Sequence, residues 1–286
     1  MIGRGSFGEV YKSNGRAVKL VRLKTWEDVA SIVKEMNVLR RQLKGCIRYH
    51  GKTITKDKCI CYSIHMDLAD GDLRKFAAPP GADKQLLNAV YNLHSNNILH
   101  MDIKPENILV RGNHIFLCDF GLSTIENDFQ RSSYIVSRWY RAPEIHFCRS
   151  KKLRYTKAMD CWSVGCVLYE MKHRKPLNRK MSYVFNIEDP LIRKLTTFSR
   201  FKRWTIAQCL GLEEPMIKNK TSLLDDFYQS YFDENPTKLK VLRYAQKIYE
   251  RKGNLDNALL ESALLMDNIS DYNLDDVDIF EFLKYI

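Results

Sequence analysis

The sequence predicts an α+β fold with two unequal lobes, a small lobe of mainly antiparallel strands with one helix and a larger, mainly helical lobe. Two observations favour this fold. Short strand-like runs predominate up to about residue 68, and helical periodicity predominates beyond residue 70. The change falls at the turn-forming run Asp70-Gly71-Asp72. We therefore expect residues 1–69 to form the small lobe and residues 70–286 to form the large lobe.

The small lobe begins with a β-hairpin. Residues 9–12 and 16–20 are its predicted strands, and Asn14-Gly15 supplies the positive φ angles that a tight primed turn requires. Thr25 can then cap an amphipathic helix. A further strand is predicted over residues 58–66.

The large lobe is predicted to be mainly helical with one embedded hairpin. Helical periodicity covers residues 85–95 and 158–171, and the hairpin covers residues 108–118. From about residue 172 the pattern stays helical but diverges, with helices predicted over 222–233, 237–251 and 255–266.

The composition is that of an ordinary globular protein, with 286 residues of which 45% are hydrophobic and 28% are charged. It excludes disordered, collagenous and coiled-coil chains. The sequence contains no apolar signal segment and no run that approaches the roughly 18 apolar residues of a membrane span. We therefore expect an intracellular protein, cytoplasmic or nuclear, with no membrane partner. The eight cysteines form no C-x-x-C pair and predict reduced thiols.

The net charge of +12 is unevenly distributed. Residues 147–206 carry fifteen Lys and Arg against four acids, whereas residues 253–286 carry one Lys against eight acids. This asymmetry allows an acidic partner, a nucleic acid or an internal electrostatic contact, but a solvated basic surface is the simpler interpretation. A nucleic-acid partner is the less favoured hypothesis, because no zinc-finger or aromatic-rich RNA-binding signature accompanies the charge.

A glycine-rich run near the start fits the pattern G-x-G-x-x-G-x-V, in which missing side chains let backbone N–H groups approach phosphate oxygens. The run is Gly3-Arg4-Gly5-Ser6-Phe7-Gly8-Glu9-Val10. Because strands follow it, and not the helix of a dinucleotide-binding fold, the context favours a flap over ATP. On the third strand Lys19 can then hold the α and β phosphates.

A carboxylate should fix this lysine. Glu35 shares a helix face with the apolar positions Ile32 and Leu39, so it is expected to point inward. The alternative, Glu27, lies in the first helical turn, where the helix dipole explains an acidic residue more simply.

The most informative run joins a catalytic-loop pattern to a second acidic motif. It reads His100-Met101-Asp102-Ile103-Lys104-Pro105-Glu106-Asn107, with Asp119-Phe120-Gly121 after the predicted hairpin. Phosphoryl transfer needs a carboxylate that orients the attacking hydroxyl and oxygen ligands for magnesium, and D-x-x-x-x-N with D-F-G supplies both.

With these motifs in order, the chain resembles the eukaryotic protein kinases from Gly3 to about Trp162. The later runs Trp139-Tyr140-Arg141-Ala142-Pro143-Glu144 and Asp160-Cys161-Trp162-Ser163-Val164-Gly165 complete the likeness. The resemblance implies a two-lobed kinase fold over 1–286, ATP and Mg²⁺ as cofactors, and protein substrates. Asp-Ile-Lys-Pro-Glu-Asn is similar to the serine/threonine version of the loop.

The same resemblance implies roles for matching residues. Asp102 would be the catalytic base with Lys104 near the γ-phosphate, and Asn107 and Asp119 would bind the metal. Met66 would be the gatekeeper, residues 67–69 the hinge that contacts adenine, and Asp72 a ribose contact. The implied ATP-binding set is Ile2, Gly3, Arg4, Gly5, Ser6, Phe7, Gly8, Val10, Ala17, Lys19, Glu35, Met66, Asp67, Ala69, Asp72 and Leu109.

Residues 133–141 resemble the activation segment of the CMGC group, which holds cyclin-dependent, mitogen-activated and glycogen synthase kinases, and are most similar to the last. Ser132 and Tyr134 are the phosphosite candidates, with Arg138 as the partner of a phosphorylated Tyr134. An unmodified, half-buried Tyr134 is the alternative.

Three features depart from the family pattern or lie outside it. Met101 replaces the arginine that receives the activation-loop phosphate, which puts dependence on that phosphate in question. In the late run 235–239, Leu239 stands where an arginine would pair with Glu144, so the resemblance does not supply that partner. The acidic, apolar tail 273–286 is either a terminal helix that packs on the large lobe or a docking helix for a partner.

The sequence therefore predicts an ATP-dependent serine/threonine protein kinase that can also phosphorylate itself, with an activating protein partner as a further candidate. The alternative is a pseudokinase scaffold that binds nucleotide without turnover.

Overall fold

The structure is a computed structural model that describes residues 1–5, 8–23, 26–56, 60–126, 129–131, 139–146, 152–177 and 187–214. These residues fall into two compact units. The first unit contains the described residues of 1–37 and 49–67, and the second contains those of 38–48 and 68–214. The helices predicted beyond residue 214 and the tail 273–286 lie outside the described residues.

The first unit is built on a five-stranded antiparallel sheet. Its strands have the spatial order β1-β2-β3-β5-β4. They are β1 (Gly3–Gly5), β2 (Gly8–Ser13), β3 (Arg16–Leu23), β4 (Tyr49–Lys56) and β5 (Ile60–Asp67). Strand β4 was not predicted, because it is an edge strand whose described side chains are at most half-buried and therefore show no apolar alternation. The hairpin and the strand predicted near residues 58–66 are confirmed.

The first hairpin shows why its turn and its glycines are required. Asn14 and Gly15 have φ angles of 47° and 72°, as a two-residue primed turn demands. At Gly8 a Cβ atom would lie 2.6 Å from the carbonyl oxygen of Leu20 on β3. A side chain at position 8, within the glycine-rich run, would therefore push β2 away from β3.

Helix α1 (Trp26–Arg40) contributes a buried apolar face through Ile32, Val33, Met36 and Leu39. These residues recur at helical spacing, so the predicted amphipathic helix is confirmed. Thr25, its predicted cap, lies outside the described residues.

The second unit is mainly helical and holds a small sheet. Strands β6 (Gly71–Asp72), β7 (Ile108–Arg111) and β8 (His114–Leu117) form that sheet, and β9 (Phe129–Arg131) pairs with β10 (Lys152–Arg154). The helices are α2 (Ala82–Ser95), α3 (Pro143–His146), α4 (Lys157–His173), α5 (Pro190–Leu195) and α6 (Ile206–Leu210). Within the run 70–72, predicted as the turn between the two lobes, Gly71 and Asp72 also form a two-residue strand.

Helix α4 is the most deeply buried helix described, with its residues from Met159 to Leu168 all buried. Its Gly165 lets α5 approach closely, since a Cβ atom there would lie 2.7 Å from Thr196 Cγ2 and 2.9 Å from Leu195 Cβ. Of the helices described, none is both long and apolar enough to cross a membrane.

The contact at Gly165 predicts that Gly165→Val destabilises the protein by about 1–3 kcal/mol, because the added side chain overpacks the α4–α5 interface. Urea unfolding followed by tryptophan fluorescence measures the change. The matched control is Gly112→Asn in the β7–β8 turn, where a Cβ meets no atom within 4 Å and Asn tolerates the φ of 54°. Equal stability of Gly165→Val and the wild type would show that α5 is not held against α4.

Candidate active site

A buried ion pair forms the centre of the first unit. Lys19 on β3 places its Nζ atom 2.9 and 2.7 Å from the two carboxylate oxygens of Glu35 on α1. Both side chains are less than a tenth exposed. Breaking such a pair leaves a buried charge without compensation, which typically costs about 3–5 kcal/mol. The pair fixes the direction of the Lys19 side chain, and Glu35 provides the carboxylate.

The sheet register aligns most of the predicted ATP-binding residues of this unit. Gly3 lies opposite Val10, and Val10 lies opposite Lys19. Ala17 lies opposite Met66, and both are buried. Ile2 donates its backbone N–H to the carbonyl of Val10 at 2.8 Å. The backbone places Arg4 and Gly5 on β1, whereas Ser6 and Phe7 lie outside the described residues.

Asp67, the first predicted hinge residue, ends β5 and contacts a histidine that the sequence did not single out. His50 Nε2 lies 2.5 Å from Asp67 Oδ1. The contact holds the Asp67 carboxylate against the neighbouring strand β4.

In the second unit, three predicted residues of the catalytic loop contact one another. Asp102 Oδ2 accepts hydrogen bonds from Lys104 Nζ at 2.5 Å and from Asn107 Nδ2 at 2.9 Å. Asn107 Nδ2 also donates to the Asp102 carbonyl at 2.8 Å. Asp102 and Asn107 are buried. The loop therefore holds the Asp102 carboxylate through its own side chains and through the one-turn 3₁₀ helix Pro105–Asn107.

A second aspartate holds the backbone of this loop. Asp160, near the start of α4, accepts the backbone N–H groups of His100 and Met101 at 2.8 and 2.9 Å. His94 Nε2 lies 3.0 Å from the same carboxylate. Asp160 belongs to one of the sequence motifs, but no role could be predicted for it, because its partners lie about 60 residues away along the chain.

The charge of Asp160 is favoured in the folded protein. Burial alone disfavours the ionised carboxylate, but the hydrogen bond from His94, the nearby His100 and the Met101 N–H outweigh it. The pKa of Asp160 therefore lies below its ordinary value of 3.8. An ionised acceptor makes stronger hydrogen bonds to backbone N–H groups than a neutral one does.

Two residues of the candidate site have left-handed backbone conformations. Met101 has a φ of 67° and Asp119 has a φ of 63°. Each such non-glycine residue costs on the order of 1–3 kcal/mol and persists only where its surroundings impose it. For Met101, the hydrogen bond from its backbone N–H to the Asp160 carboxylate helps to impose this conformation. For the D-F-G run, Phe120 is fully buried and its ring lies 5.1 Å from the His100 ring, tilted by 48°.

Met101 itself is buried at 3% exposure, in the position where the resemblance expects an arginine. A buried thioether carries no charge and has no capacity to receive a phosphate. Met101, which stands in place of the expected arginine, is thus an apolar core residue next to Asp102.

The Arg74 guanidinium, which the sequence did not single out, links three further parts of the second unit. Arg74 donates from Nε to Glu106 of the catalytic loop at 3.0 Å and from Nη2 to the Tyr140 hydroxyl at 2.6 Å. It also forms an ion pair with Glu170 of α4, which accepts the Tyr140 hydroxyl at 2.6 Å. Burial and the Glu170 hydrogen bond raise the pKa of Tyr140, so the phenol stays protonated and donates.

The structure supplies Glu144 with a partner that the sequence did not predict. Arg203 donates from Nη1 and Nη2 to the two Glu144 oxygens at 2.7 and 3.0 Å, and its side chain is fully buried beside Trp162. The sequence put an arginine partner for Glu144 in question because Leu239 stands at the expected position, and the structure shows that Arg203 is that partner. Leu239 lies outside the described residues, whereas Arg203 lies between α5 and α6.

The remaining predicted positions lie in or near the small sheet of the second unit. Asp72 on β6 lies opposite Leu109 on β7, and Ala69 precedes β6. Asp72 Oδ1 accepts the backbone N–H groups of Arg74 and Lys75 at 3.0 and 3.1 Å. The phosphosite candidates Ser132 and Tyr134, with Arg138, lie outside the described residues.

This geometry agrees with a comparison against known families. A family model described as "Protein kinase domain" matches residues 1–238. The chain belongs to the protein kinase domain family. The predicted two-lobed kinase fold is confirmed, and the likeness extends beyond the 3–162 stretch marked by the sequence motifs.

Curated relatives of this kinase domain are mitogen-activated protein kinases and a related enzyme. The chain is 33% identical over 219 residues to mitogen-activated protein kinase 15 of Xenopus laevis, an alignment that covers 65% of this chain and 36% of that protein. It is 30% identical over 214 residues to extracellular signal-regulated kinase 1 of Dictyostelium discoideum, covering 65% and 39%. It is 50% identical over 96 residues to mitogen-activated protein kinase 3 of Arabidopsis thaliana, covering 32% and 25%.

These relatives support the assignment to a CMGC-like kinase, whereas the closer likeness to glycogen synthase kinases stays a prediction. The alignments span from about a quarter to about half of the length of the curated relatives.

The Asp160 contacts predict that Asp160→Asn destabilises the kinase domain by about 3 kcal/mol at pH 7. The aspartate offers two acceptor oxygens to His94 and to the N–H groups of His100 and Met101, whereas the asparagine amide replaces one of those oxygens with an NH₂ donor. A lowered folded-state pKa contributes stability above the unfolded value, and that contribution is lost as the pH falls below 3.8. The difference in unfolding free energy between the wild type and Asp160→Asn, measured by urea unfolding from pH 7 to pH 3, should therefore shrink as the pH falls below 3.8. A difference that grows on acidification would contradict the assignment.

The Glu144–Arg203 pair predicts strong coupling between its members. Arg203→Met should cost about 3–5 kcal/mol, since it leaves the Glu144 carboxylate partly buried without its cation. The double variant Arg203→Met/Glu144→Gln should recover part of that loss, which a double-mutant cycle by urea unfolding measures. Lys202→Met, at an exposed neighbour, is the matched control and should be within about 0.5 kcal/mol of wild type. Additive single effects would argue against a direct pair.

Proposed function

We propose that the protein is a serine/threonine protein kinase that transfers the γ-phosphoryl group of ATP to hydroxyl groups of protein substrates. The observation that carries the proposal is the catalytic loop, in which Lys104 and Asn107 hold the Asp102 carboxylate and Asp160 holds the loop backbone. Such an arrangement serves positioning and electrostatic stabilisation, the two effects on which phosphoryl transfer mainly depends.

In this proposal the first unit binds the nucleotide. Lys19, oriented by Glu35, contacts the ATP phosphates through its ammonium group. The glycine-rich run approaches the phosphates through backbone N–H groups, a role that the close spacing at Gly8 supports. Met66 and the backbone of residues 67–69 are assigned to the adenine.

The second unit is assigned the chemistry on the hydroxyl. Asp102 orients the attacking hydroxyl and accepts its proton as the new P–O bond forms and the bond from phosphorus to the leaving ADP oxygen breaks. Lys104, 2.5 Å from Asp102 in the structure, is within reach of the transferred phosphoryl group and offsets its negative charge.

Mg²⁺ is part of the proposal, and the side chains of Asn107 and Asp119 fit it. Both hydrogen bonds of the Asn107 amide nitrogen go to Asp102, which leaves Oδ1 as the atom that can ligate a cation. Among the described residues, no group of three or more His, Cys, Asp or Glu could hold a metal alone. Magnesium commonly takes one or two protein oxygens and completes its shell with phosphates and water, and it neutralises phosphate charge.

Residence in the cytoplasm or nucleus also belongs to the proposal. Six described cysteines are free thiols, as a reducing compartment favours. Burial raises the pKa of Cys46 to about 12 and that of Cys209 to about 11, so these two thiols are protonated and unreactive at neutral pH. We assign no membrane or nucleic-acid partner, and an activating protein partner remains part of the hypothesis.

The proposal predicts that Asp102→Asn lowers kcat for a serine-containing protein substrate by about 10²–10⁴-fold, because it removes the base. Lys19→Met should reduce nucleotide binding as well as turnover. The measurement is transfer of γ-labelled phosphate with Mg-ATP, with phosphoamino-acid analysis, beside nucleotide binding by calorimetry. The matched controls are Asp83→Asn and Lys12→Met, which change exposed residues of the same types.

The label should appear on serine or threonine, in the substrate and on the chain itself, and disappear in Asp102→Asn. A folded wild-type protein that binds nucleotide without any transfer would overturn the proposal and favour the pseudokinase scaffold.

A further inference from the structure

A cavity of about 210 Å³ lies beside the catalytic loop in the second unit. Pro105 of the loop forms part of its wall, and the end of α4 forms another part. Its charged lining residues are three cations, Arg74, Lys75 and Arg174, and one carboxylate, Glu170. The assigned catalytic and metal-binding roles use none of these side chains.

The carboxylates in and around the cavity already have partners. Both Glu170 oxygens are bound, one by the Arg74 guanidinium and the other by the Tyr140 hydroxyl. Glu106 accepts from Arg74, and Asp72 accepts two backbone N–H groups. A basic group entering the cavity would therefore have to displace Arg74 from a set of contacts that is partly buried.

The cations at the rim have donors to offer. The Lys75 side chain is 62% exposed, and its Nζ atom lies 3.7 Å from Asp72 Oδ2, beyond hydrogen-bond distance. Arg174 is exposed, and its guanidinium forms no ion pair with a described residue. Its backbone N–H donates to the Glu170 carbonyl at the end of α4, and its φ is 57°, so the backbone is anchored while the side chain is exposed.

The position of the cavity brings it within reach of a bound substrate chain. Pro105 follows Asp102 by three residues, so their Cα atoms are at most about 11 Å apart at 3.8 Å per residue. An extended peptide rises by about 3.3 Å per residue. A residue two to four positions from a hydroxyl at Asp102 can therefore reach the cavity.

We propose that this cavity is a specificity site that binds an anionic side chain of the protein substrate, with Lys75 and Arg174 as its ligands. The anionic group is a carboxylate of Asp or Glu, or a phosphate already present on the substrate. The inference rests on the proposed kinase function and adds the substrate class to it. Arg74 positions the wall of the site and is not assigned to the substrate, because each of its three guanidinium nitrogens already contacts Glu106, Glu170 or Tyr140.

The test is a peptide series with one serine acceptor in a neutral background. Glutamate, phosphothreonine, lysine or alanine is placed in turn at each of five positions on either side of the serine, and kcat/KM is measured with Mg-ATP. We expect glutamate or phosphothreonine to raise kcat/KM by about tenfold over alanine at one position two to four residues from the serine, the size of a charged hydrogen-bond contribution. Lysine at that position should lower it. The glutamate and phosphothreonine arms distinguish the two sources of the anion.

The variants Arg174→Glu and Lys75→Ala identify the ligands. Arg174→Glu should invert the ratio of kcat/KM between the glutamate and lysine peptides, and Lys75→Ala should bring the ratio of glutamate to alanine toward one. The matched control is Lys84→Glu, the same charge change at an exposed residue of α2 outside the cavity, which should leave both ratios unchanged.

The remaining outcomes separate this inference from the proposed function. Efficient transfer to the alanine peptide with a flat positional profile, or a preference for lysine, would overturn the specificity site while the kinase assignment stands. Inversion in Lys84→Glu as well as in Arg174→Glu would show a general charge effect and also overturn it. Absence of transfer to every peptide would overturn the proposed function, and the specificity site with it.

Discussion

The arrangement of the second unit depends on the buried carboxylate of Asp160. It holds two consecutive backbone N–H groups of the catalytic loop, at His100 and Met101, and it sits on the most deeply buried helix described. The same helix contributes Ser163 to the Tyr140 carbonyl and Glu170 to the Tyr140 hydroxyl. Helix α4 is therefore the common support of the loop that carries Asp102 and of the segment that begins at Trp139. A displacement of α4 would therefore disturb both the loop and this segment.

Much of the fold could be predicted because its signals are local. The Asn14-Gly15 turn, the apolar stripe of α1 and the run of α4 each depend on residues within one element. The boundaries shifted by only a few residues; α2, for example, begins at Ala82 where periodicity predicts residue 85. Strand β4 could not be predicted, because an edge strand buries few side chains and leaves no alternating pattern to detect.

The candidate site divides in the same way. Lys19 and Glu35 could be matched from sequence, since one lies on a strand next to the glycine-rich run and the other lies on the inward face of a helix. The contacts of Arg74 with Tyr140 and Glu170 join residues that are 66 and 96 positions apart, and no local sequence pattern predicts them. The partner of Glu144 could not be predicted for a related reason: the run near residue 239 offers only Leu239, whereas Arg203 is identified only by its contacts with Glu144.

The buried thioether at Met101 has a consequence for how the protein can evolve. An arginine at this position would tie the shape of the catalytic loop to a negative charge supplied from elsewhere, so the two could change only together. Met101 needs no counter-ion, and its left-handed conformation is held by the hydrogen bond to Asp160. A change in the loop at this position therefore requires no matching change in a counter-ion.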